Sequence, residues 1–401
     1  MDFRLTDEQK MLRDEAGAFA KRELLGEQNS PPTWLRLRKK EFPWDIHQKM
    51  VEAGYAGATL PHEYGGAGLD DVSFVIMVEE LCRAEAGAGL STGASLSLAA
   101  QPILLAGTDV QKETWLPKIA MGAIGAYAQT EPNAGSDVAG IQTHGVVDGD
   151  SLVITGAKQF ITNGSIADVI VAIIQTERSG KPHHGLTAVI IDAKEAKKAG
   201  TLIVEKDFDK IGLHCSPTSN LIFENCRVPI SNIIGGPGMG WKIAMGTLIG
   251  SRPMIAAQGV GIAQAALDCA IKHVTTREQF GKKLADFQAV QHELAEMELM
   301  IEEARLLTYQ AAWEVTTTPV LKREDIMKKA SFAKLHASRV ALNVAMRSLR
   351  LHGGMGYMSE SRISAIAQDS IVLEIYEGAS MIQLNIIARQ LLKNHGFKTS
   401  N

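Results

Sequence analysis

Two stretches in the last third of the chain repeat apolar residues at a spacing that fits a long α-helix and little else. Val290, Leu294, Met297, Ile301 and Ala304 step by four and three, and Ile326, Ala330, Ala333, Ala337, Val340 and Val344 do the same. Each set therefore lines one face of a helix. A long helix with a single apolar stripe needs partners to cover it, and a four-helix bundle covers several such stripes at once. The chain has no internal repeat and no low-complexity tract.

The rest of the chain has a different texture. Residues 1–121 read as helical, beginning with Thr6 as an N-cap ahead of Asp7 and Glu8. The run from Pro61 to Leu69, with three glycines and a proline, reads as a loop. Between 122 and 234 short apolar and β-branched runs alternate with glycine and Asp/Asn turns: Leu152 with Ile154, Val169 to Ile174, Leu186 to Ile191, and Leu221 to Phe223. Asp148-Gly149-Asp150 has the composition of a hairpin turn. A chain of 401 residues exceeds one core. The expected architecture is mainly α with an inserted β-domain: an N-terminal helical domain (1–121), a middle β-barrel-like domain (122–234) and a C-terminal four-helix bundle (235–401).

Composition excludes several functions. A formal net charge of −4 argues against nucleic-acid binding, and the short basic run of Arg36, Arg38, Lys39 and Lys40 reads as a solvated face. No uninterrupted apolar stretch approaches the roughly 18 residues of a membrane span. The first residues form neither a signal nor a transit peptide. Cys82, Cys215, Cys226 and Cys269 lack CxxC spacing, so reduced thiols in a cytoplasmic setting are expected, with no disulfide and no metal site.

Three segments carry residues suited to chemistry. In Ile375-Tyr-Glu-Gly-Ala-Ser-Met-Ile-Gln383, Glu377 stands between an apolar helical stretch and a glycine turn. A carboxylate held among apolar neighbours has its pKa raised toward the range of a general base. Taken alone, it reads more readily as an ordinary helix-end acid. Tyr127-Ala-Gln-Thr-Glu-Pro-Asn-Ala-Gly-Ser-Asp137 packs hydroxyls, a proline-fixed turn and a glycine into one segment that could approach a ring or phosphate, or serve as a polar inter-domain turn. Lys158-Gln-Phe-Ile-Thr-Asn-Gly164 reads as a strand end with Phe160 and Thr162 on one face, able to wall a heterocycle or simply to complete the sheet. Two further motifs carry less. Gly235 to Gly240 has a G-x-G pattern but no following Lys-Ser/Thr, so it reads as a loop into a helix at Trp241, and His183-His184 is a polar turn without ligand partners.

In order, TEPNAGSD, KQFITNG, the Ser251-Arg-Pro253 triplet, REQFGKKL at 277–284, LHGGMGY at 351–357 and IYEGAS at 375–380 resemble the acyl-CoA dehydrogenase flavoproteins, chiefly the medium- and short-chain branches. The resemblance spans essentially the whole chain and implies FAD between the β-domain and the bundle of a homotetramer. It implies that Tyr127, Gln129, Thr130 and Ser136 border the flavin and its pyrophosphate, and that Phe160 and Thr162 flank the isoalloxazine. Arg277, Phe280, Phe287 and Gln288, with His352, Gly353 and Gly354, would serve the adenine half across a subunit interface. A packed structural role fits His352 equally well. Ser136, Ser251, Arg252, Tyr376 and Gly378 would lie at the acyl-CoA thioester, and Glu377 would be the base. Branches with the base on the earlier helix carry an acid where this chain has Ser251.

The implied reaction is α,β-dehydrogenation of an acyl-CoA to a trans-2-enoyl-CoA, with electrons passed to an electron-transfer flavoprotein. In the family, hydrogen bonds to the thioester carbonyl from the base's own N–H and a flavin ribityl hydroxyl stabilise the developing enolate. Three positions depart from the pattern: Arg350 for a glutamine, Ala379 for a threonine and Phe160 for a tryptophan. The alternatives are an acyl-CoA oxidase or other O₂-using flavoenzyme, and a flavin-free binding scaffold. The acyl pocket is expected along a helix through Glu79 to Leu98 and near Tyr376. The small residues Ala88-Gly-Leu-Ser-Thr92 would leave room for a branched, cyclic, aryl or dicarboxylic acyl group.

Overall fold

The computed structural model describes residues 4–29, 31–177, 182–318 and 326–397. Seven α-helices build the N-terminal part: α1 (Asp7–Phe19), α2 (Thr33–Arg36), α3 (Trp44–Glu52), α4 (Asp71–Ala84), α5 (Ala86–Ala94), α6 (Gln101–Ala106) and α7 (Asp109–Ala120). Thr6 caps α1 as expected, its hydroxyl accepting from Gln9 N–H while the Gln9 side chain accepts from Thr6 N–H. Thr108 and Gln111 repeat this device on α7, and the Gln111 amide also donates to Ser231 and Ile233 carbonyls at 2.6 and 2.9 Å.

The middle of the chain forms an eight-stranded sheet: β1 (Gly125–Ala128), β2 (His144–Asp148), β3 (Ser151–Thr162), β4 (Val169–Gln175), β5 (Leu186–Asp192), β6 (Leu202–Val204), β7 (Thr218–Pro229) and β8 (Ile233–Ile234). A short α8 (Ala193–Lys198) follows β5. Strand order is β6-β7-β3-β2-β4-β5-β8, with β1 alongside β4 in parallel. Asp148↔Ser151 closes the β2–β3 hairpin around Gly149, whose φ of 65° suits glycine. β4 and β5 are almost wholly buried, which is why their sequences read as unbroken apolar runs rather than alternating ones.

The C-terminal part contains α9 (Gly240–Val274), a small hairpin of β9 (Glu278–Gln279) and β10 (Lys282–Lys283), α10 (Gln288–Thr317), α11 (Met327–Leu351), α12 (Arg362–Ser370) and α13 (Ser380–Asn394). The two apolar stripes behave as expected: Met297, Ile301 and Ala304 on α10 and Ala330, Ala333, Ala337, Val340 and Val344 on α11 are buried together with α9. Val290 and Leu294 are half-buried. By length and composition, Ala86–Ala106 and Gly240–Val274 could cross a membrane, but 78% of each window is buried inside the protein.

One expectation needs correction. Glu79 to Leu98 is not one helix. Glu85 is extended (φ −156°, ψ 107°) and separates α4 from α5. The exposed carbonyls this break leaves at Arg83 and Ala84 accept from the Arg362 guanidinium at 3.0 and 3.1 Å. Glu79 itself turns toward α10, pairing with Arg305 at 2.8 Å and Tyr309 at 3.0 Å. The basic run 36–40 is largely exposed, as expected of a solvated face, and its cations make local bonds there. Arg36 pairs with Asp45, Lys40 with Asp209, and Arg38 reaches Gln368 on α12.

Glu85 faces the Cys215 thiol, and Asp369 accepts Leu213 N–H at 2.6 Å, so two enclosed acids meet where all three parts of the chain join. Burial raises both carboxyls, and their mutual repulsion lifts Glu85 farther, to about 8, against the opposing Arg362 and Arg38. The folded chain thus retains a proton that the unfolded chain loses in the ordinary carboxylate range. Stability from this group is complete below that range and is lost as pH rises through about 8. Glu85→Gln is neutral in both states, so it is expected to be more stable than the parent at pH 8 by roughly a few kcal/mol, and about equal at pH 4. Urea midpoints at the two pH values test this.

Candidate active site

Glu377 lies in a bend between the short turn Ile371–Glu374 and α13, with φ of 54°, and Gly378 follows at 90°. The left-handed region costs a β-carbon-bearing residue about 1 kcal/mol and is retained mainly where the surroundings force it. Here the forcing contacts are visible. The Gly378 carbonyl accepts from Lys334 Nζ at 2.8 Å and from Gln383 Nε2 at 2.9 Å. A Cβ on Gly378 would lie 2.3 Å from Gln383 Nε2, so only glycine fits. Phe160 and Phe280 are also left-handed, so three of the seven non-glycine residues in this state among the described residues are candidate site residues read from sequence.

Around the carboxylate the structure gathers Ser251, Arg252, Tyr376, Gly378, Tyr127 and Lys334. Ser251 Oγ donates to Glu377 Oε2 at 2.8 Å. Burial raises the Glu377 pKa above the ordinary carboxylate value, and the Ser251 bond and the Arg252 and Lys334 charges hold part of that rise back. Arg252 is buried on α9, its own pKa pulled down to about 10 by burial, and its Nε has no partner. A buried guanidinium with an unused donor is suited to an incoming acceptor. Tyr376 hydroxyl bonds Gln258, whose amide donates to Ala86 carbonyl at 3.3 Å.

The β-domain supplies the adjoining wall. Gln159 N–H donates to Thr130 carbonyl at 2.8 Å, tying the two signature loops together. Tyr127 hydroxyl donates to Gln129 at 2.8 Å. The β3–β7 register breaks between Lys158 and Ile161, so the simple alternation that places Phe160 and Thr162 on one face does not run through Phe160. At the break Phe160 turns outward, 56% exposed, with Phe208 5.0 Å away. An exposed aromatic with positive φ, next to the residue that ties β3 to the Thr130 loop, offers a face on which a flat cofactor ring could stack.

A second group lies elsewhere. His352 stacks on His273 at 4.4 Å, His273 carbonyl accepts Arg277 N–H, and Phe280 meets Phe287 edge-on at 6.2 Å. Arg277, Phe280 and Gln288 are exposed, as are Gly353 and Gly354, and Arg350 ends α11 on the surface. Twenty-two residues of α9 separate Ser251 from His273, about 33 Å at the helical rise. One copy of the chain therefore does not bring the two groups together.

Ala379 occupies the N-cap of α13 with no side-chain bond to the first turn. Ala379→Thr is expected to stabilise the protein by about 1 kcal/mol through the missing cap, read as a raised denaturation midpoint. Ala88–Thr92 does not form open space. Gly89 abuts Cys82 Sγ, Ser91 bonds Asn163, and Thr92 donates to Met50 sulfur, so these small residues let α5 pack closely. A cleft of about 390 Å³ between α1, α4 and α9 is lined by none of the candidate site residues.

Lys334, Gln383 and Gln258 were not singled out from sequence. Lys334 had a signal: it interrupts the apolar stripe of α11 between Ala330 and Ala337. The other two are polar residues on helices, with nothing local to mark them.

Three domain models match along the chain: acyl-CoA dehydrogenase N-terminal domain at 6–123, middle domain at 126–226 and C-terminal domain at 238–392. Among curated relatives, a probable acyl-CoA dehydrogenase of Bacillus subtilis, YngJ, is 39% identical over 98% of this chain and 100% of its own. A 3-(aryl)acrylate reductase of Clostridium sporogenes is 39% identical over 97% and 99%. Among solved structures, butyryl-CoA dehydrogenase from Megasphaera elsdenii superposes with a TM-score of 0.90, 36% identical, covering 98% of this chain and 100% of that one. A chain in the structure described as the electron transferring flavoprotein of Acidaminococcus fermentans matches with a TM-score of 0.89, 38% identical, over 98% and 100%.

The chain belongs to the acyl-CoA dehydrogenase family. It is an oxidoreductase acting on CH–CH groups, and its cofactor is FAD.

Proposed function

We propose that Glu377 is the general base of an acyl-CoA dehydrogenase whose substrate carries a short acyl group. The observation that supports the base most directly is the strained bend that aims one carboxylate at Ser251 beside the buried Arg252. A thioester α-proton is too weakly acidic for an unaided carboxylate, and donors placed where enolate charge develops supply roughly 3 kcal/mol each in a dry site. Glu377 holds the proton taken from the α-carbon. Arg252, with its free Nε, and the Gly378 turn hold the thioester in place. Bound FAD supplies the two-electron acceptor for the β-hydrogen. Tyr127, Gln129, Thr130, Ser136, Phe160 and Thr162 would hold its ring and pyrophosphate.

The short acyl group follows from Gln258. It lies seven residues beyond Ser251 on the same face of α9, about 10 Å along the axis, and bridges Tyr376 to the start of α5. An acyl chain entering from Glu377 between α5 and α9 meets this polar bridge after a few carbons. The similarity to an aryl-acrylate reductase favours testing a flat aryl group in the same space.

Two copies or more are required by the second group. Arg277, Phe280, Phe287, Gln288, Arg350, His352, Gly353 and Gly354 would meet the adenine half of FAD held by a neighbouring copy, and a homotetramer provides this. An electron-transfer flavoprotein is the proposed acceptor, supported by the resemblance to the Acidaminococcus structure. The cytoplasm is the proposed compartment, consistent with four free thiols.

The test is a panel of straight-chain, branched, aryl and dicarboxylic acyl-CoA thioesters, followed by bleaching of the flavin under anaerobic conditions. Fastest reduction by butyryl-CoA or a 3-arylpropionyl-CoA supports the reading, and preference for chains beyond eight carbons overturns it. Oxygen uptake without an added acceptor would favour an oxidase instead.

A further inference from the structure

Lys334 is fully buried in α11, and among the described residues no carboxylate forms an ion pair with it. Its ammonium donates to the Gly378 carbonyl at 2.8 Å, one peptide beyond Glu377. A buried cation without an acid partner is costly and persists where its charge or its donor is needed. We propose that Lys334 is a positioning residue: its bond to Gly378 holds Glu377 in the left-handed bend, and its charge on α11 acts on the neighbouring carboxylate, keeping the base ionised. The proposal rests on Glu377 being the base.

The neighbouring charges sharpen the point. Arg252 faces Glu377 from α9 and also repels Lys334, while Glu374 attracts Lys334 from the preceding turn. Tyr127 from β1 and Tyr376 from the same bend face the carboxylate as neutral phenols, their pKa values raised by burial. Burial lowers Lys334 to about 8, with Glu377 pulling the other way, so the ammonium is present below that pH. Arg252 has an unused donor for a ligand, whereas Lys334 is already bonded to the backbone. Their tasks therefore differ.

The experiment uses the FAD-loaded protein and two readouts. The infrared band of the protonated Glu377 carboxyl, identified by its loss in Glu377→Gln, is titrated without substrate. Flavin reduction by butyryl-CoA, or by the fastest thioester of the panel, is followed from pH 6 to pH 8.5. In Lys334→Met the band is expected to persist to higher pH. The infrared midpoint is expected to rise by about one unit, and reduction is expected to fall more at pH 6 than at pH 8.5. Lys334→Arg, which keeps the charge, is expected to restore the parent profile. If Lys334→Met binds no FAD, Lys334→Gln is measured in its place. An unchanged infrared midpoint and pH profile in the neutral variant overturns the proposal. Glu377→Gln that still reduces flavin at the parent rate overturns the base itself, while the infrared titration continues to judge Lys334 separately.

Discussion

Glu377→Gln is expected to retain FAD and acyl-CoA binding while flavin reduction slows by about 10²–10⁴-fold, the usual contribution of a positioned proton acceptor. The amide keeps the size of the side chain and can still accept from Ser251 Oγ, so the bend should survive. What it loses is basicity. In the parent, the acid must be ionised to act, and burial raises its pKa above the ordinary carboxylate range. Reduction should therefore rise with pH to a plateau reached later than for an exposed carboxylate. Stopped-flow reduction across pH measures both quantities. A variant that keeps the parent rate would place the base elsewhere, and the structure offers no second acid at Ser251's position.

Glu131→Gln is the second large effect, and it acts through the sheet rather than the chemistry. Lys158 is fully buried, and its ammonium is held by Glu131 at 2.7 Å and by the carbonyls of Gln129 and Ile173. Glu131 also accepts the N–H groups of Gln142 and Thr143. Removing the acid leaves a buried charge without its partner, which costs about 3–5 kcal/mol. The pair joins the two loops proposed to border the flavin, so FAD affinity should weaken along with stability. Burial by itself would raise the Glu131 carboxyl, but Lys158 and the N–H donors outweigh it and hold it below the ordinary range. Because the folded value is the lower one, this stabilisation is present above the unfolded pKa and is lost as pH falls through the folded one. The parent should therefore lose stability in acid through this group, and the variant should not. Urea midpoints at pH 7 and pH 4, with FAD fluorescence as a second probe, separate these outcomes. A variant as stable as the parent at pH 7 would mean that Lys158 sheds its proton at little cost.

Periodicity was the most legible layer of the sequence. The stripes of α10 and α11, the apolar runs of β4 and β5, the cap at Thr6 and the turn at Gly149 are local patterns, and local geometry suffices to read them. Glu377 and its glycine stood out for the same reason: an acid at a helix-to-turn junction is a local feature. The break at Glu85 was not readable, because a run of alanine, glycine and leucine suits a helix on either side of it. The carbonyls that the break leaves at the end of α4 are satisfied by Arg362, which comes from almost three hundred residues away. The bulge at Phe160 likewise depends on how β3 meets β7, not on β3 alone.

Residue order by itself determined the helical, β and helical succession and the family motifs, and it singled out Glu377, the acid proposed as base. Burial is what it could not express. Lys334 interrupts an apolar stripe and would pass for a surface residue until α11 is placed against the Glu377 bend, where the same ammonium becomes a fully enclosed charge bonded to Gly378. Small residues in α5 promise space in the sequence but deliver close contact in three dimensions, because neighbouring sulfur atoms fill the gaps. Charge and volume acquire their energetic meaning from what surrounds them, and those surroundings come from distant parts of the chain.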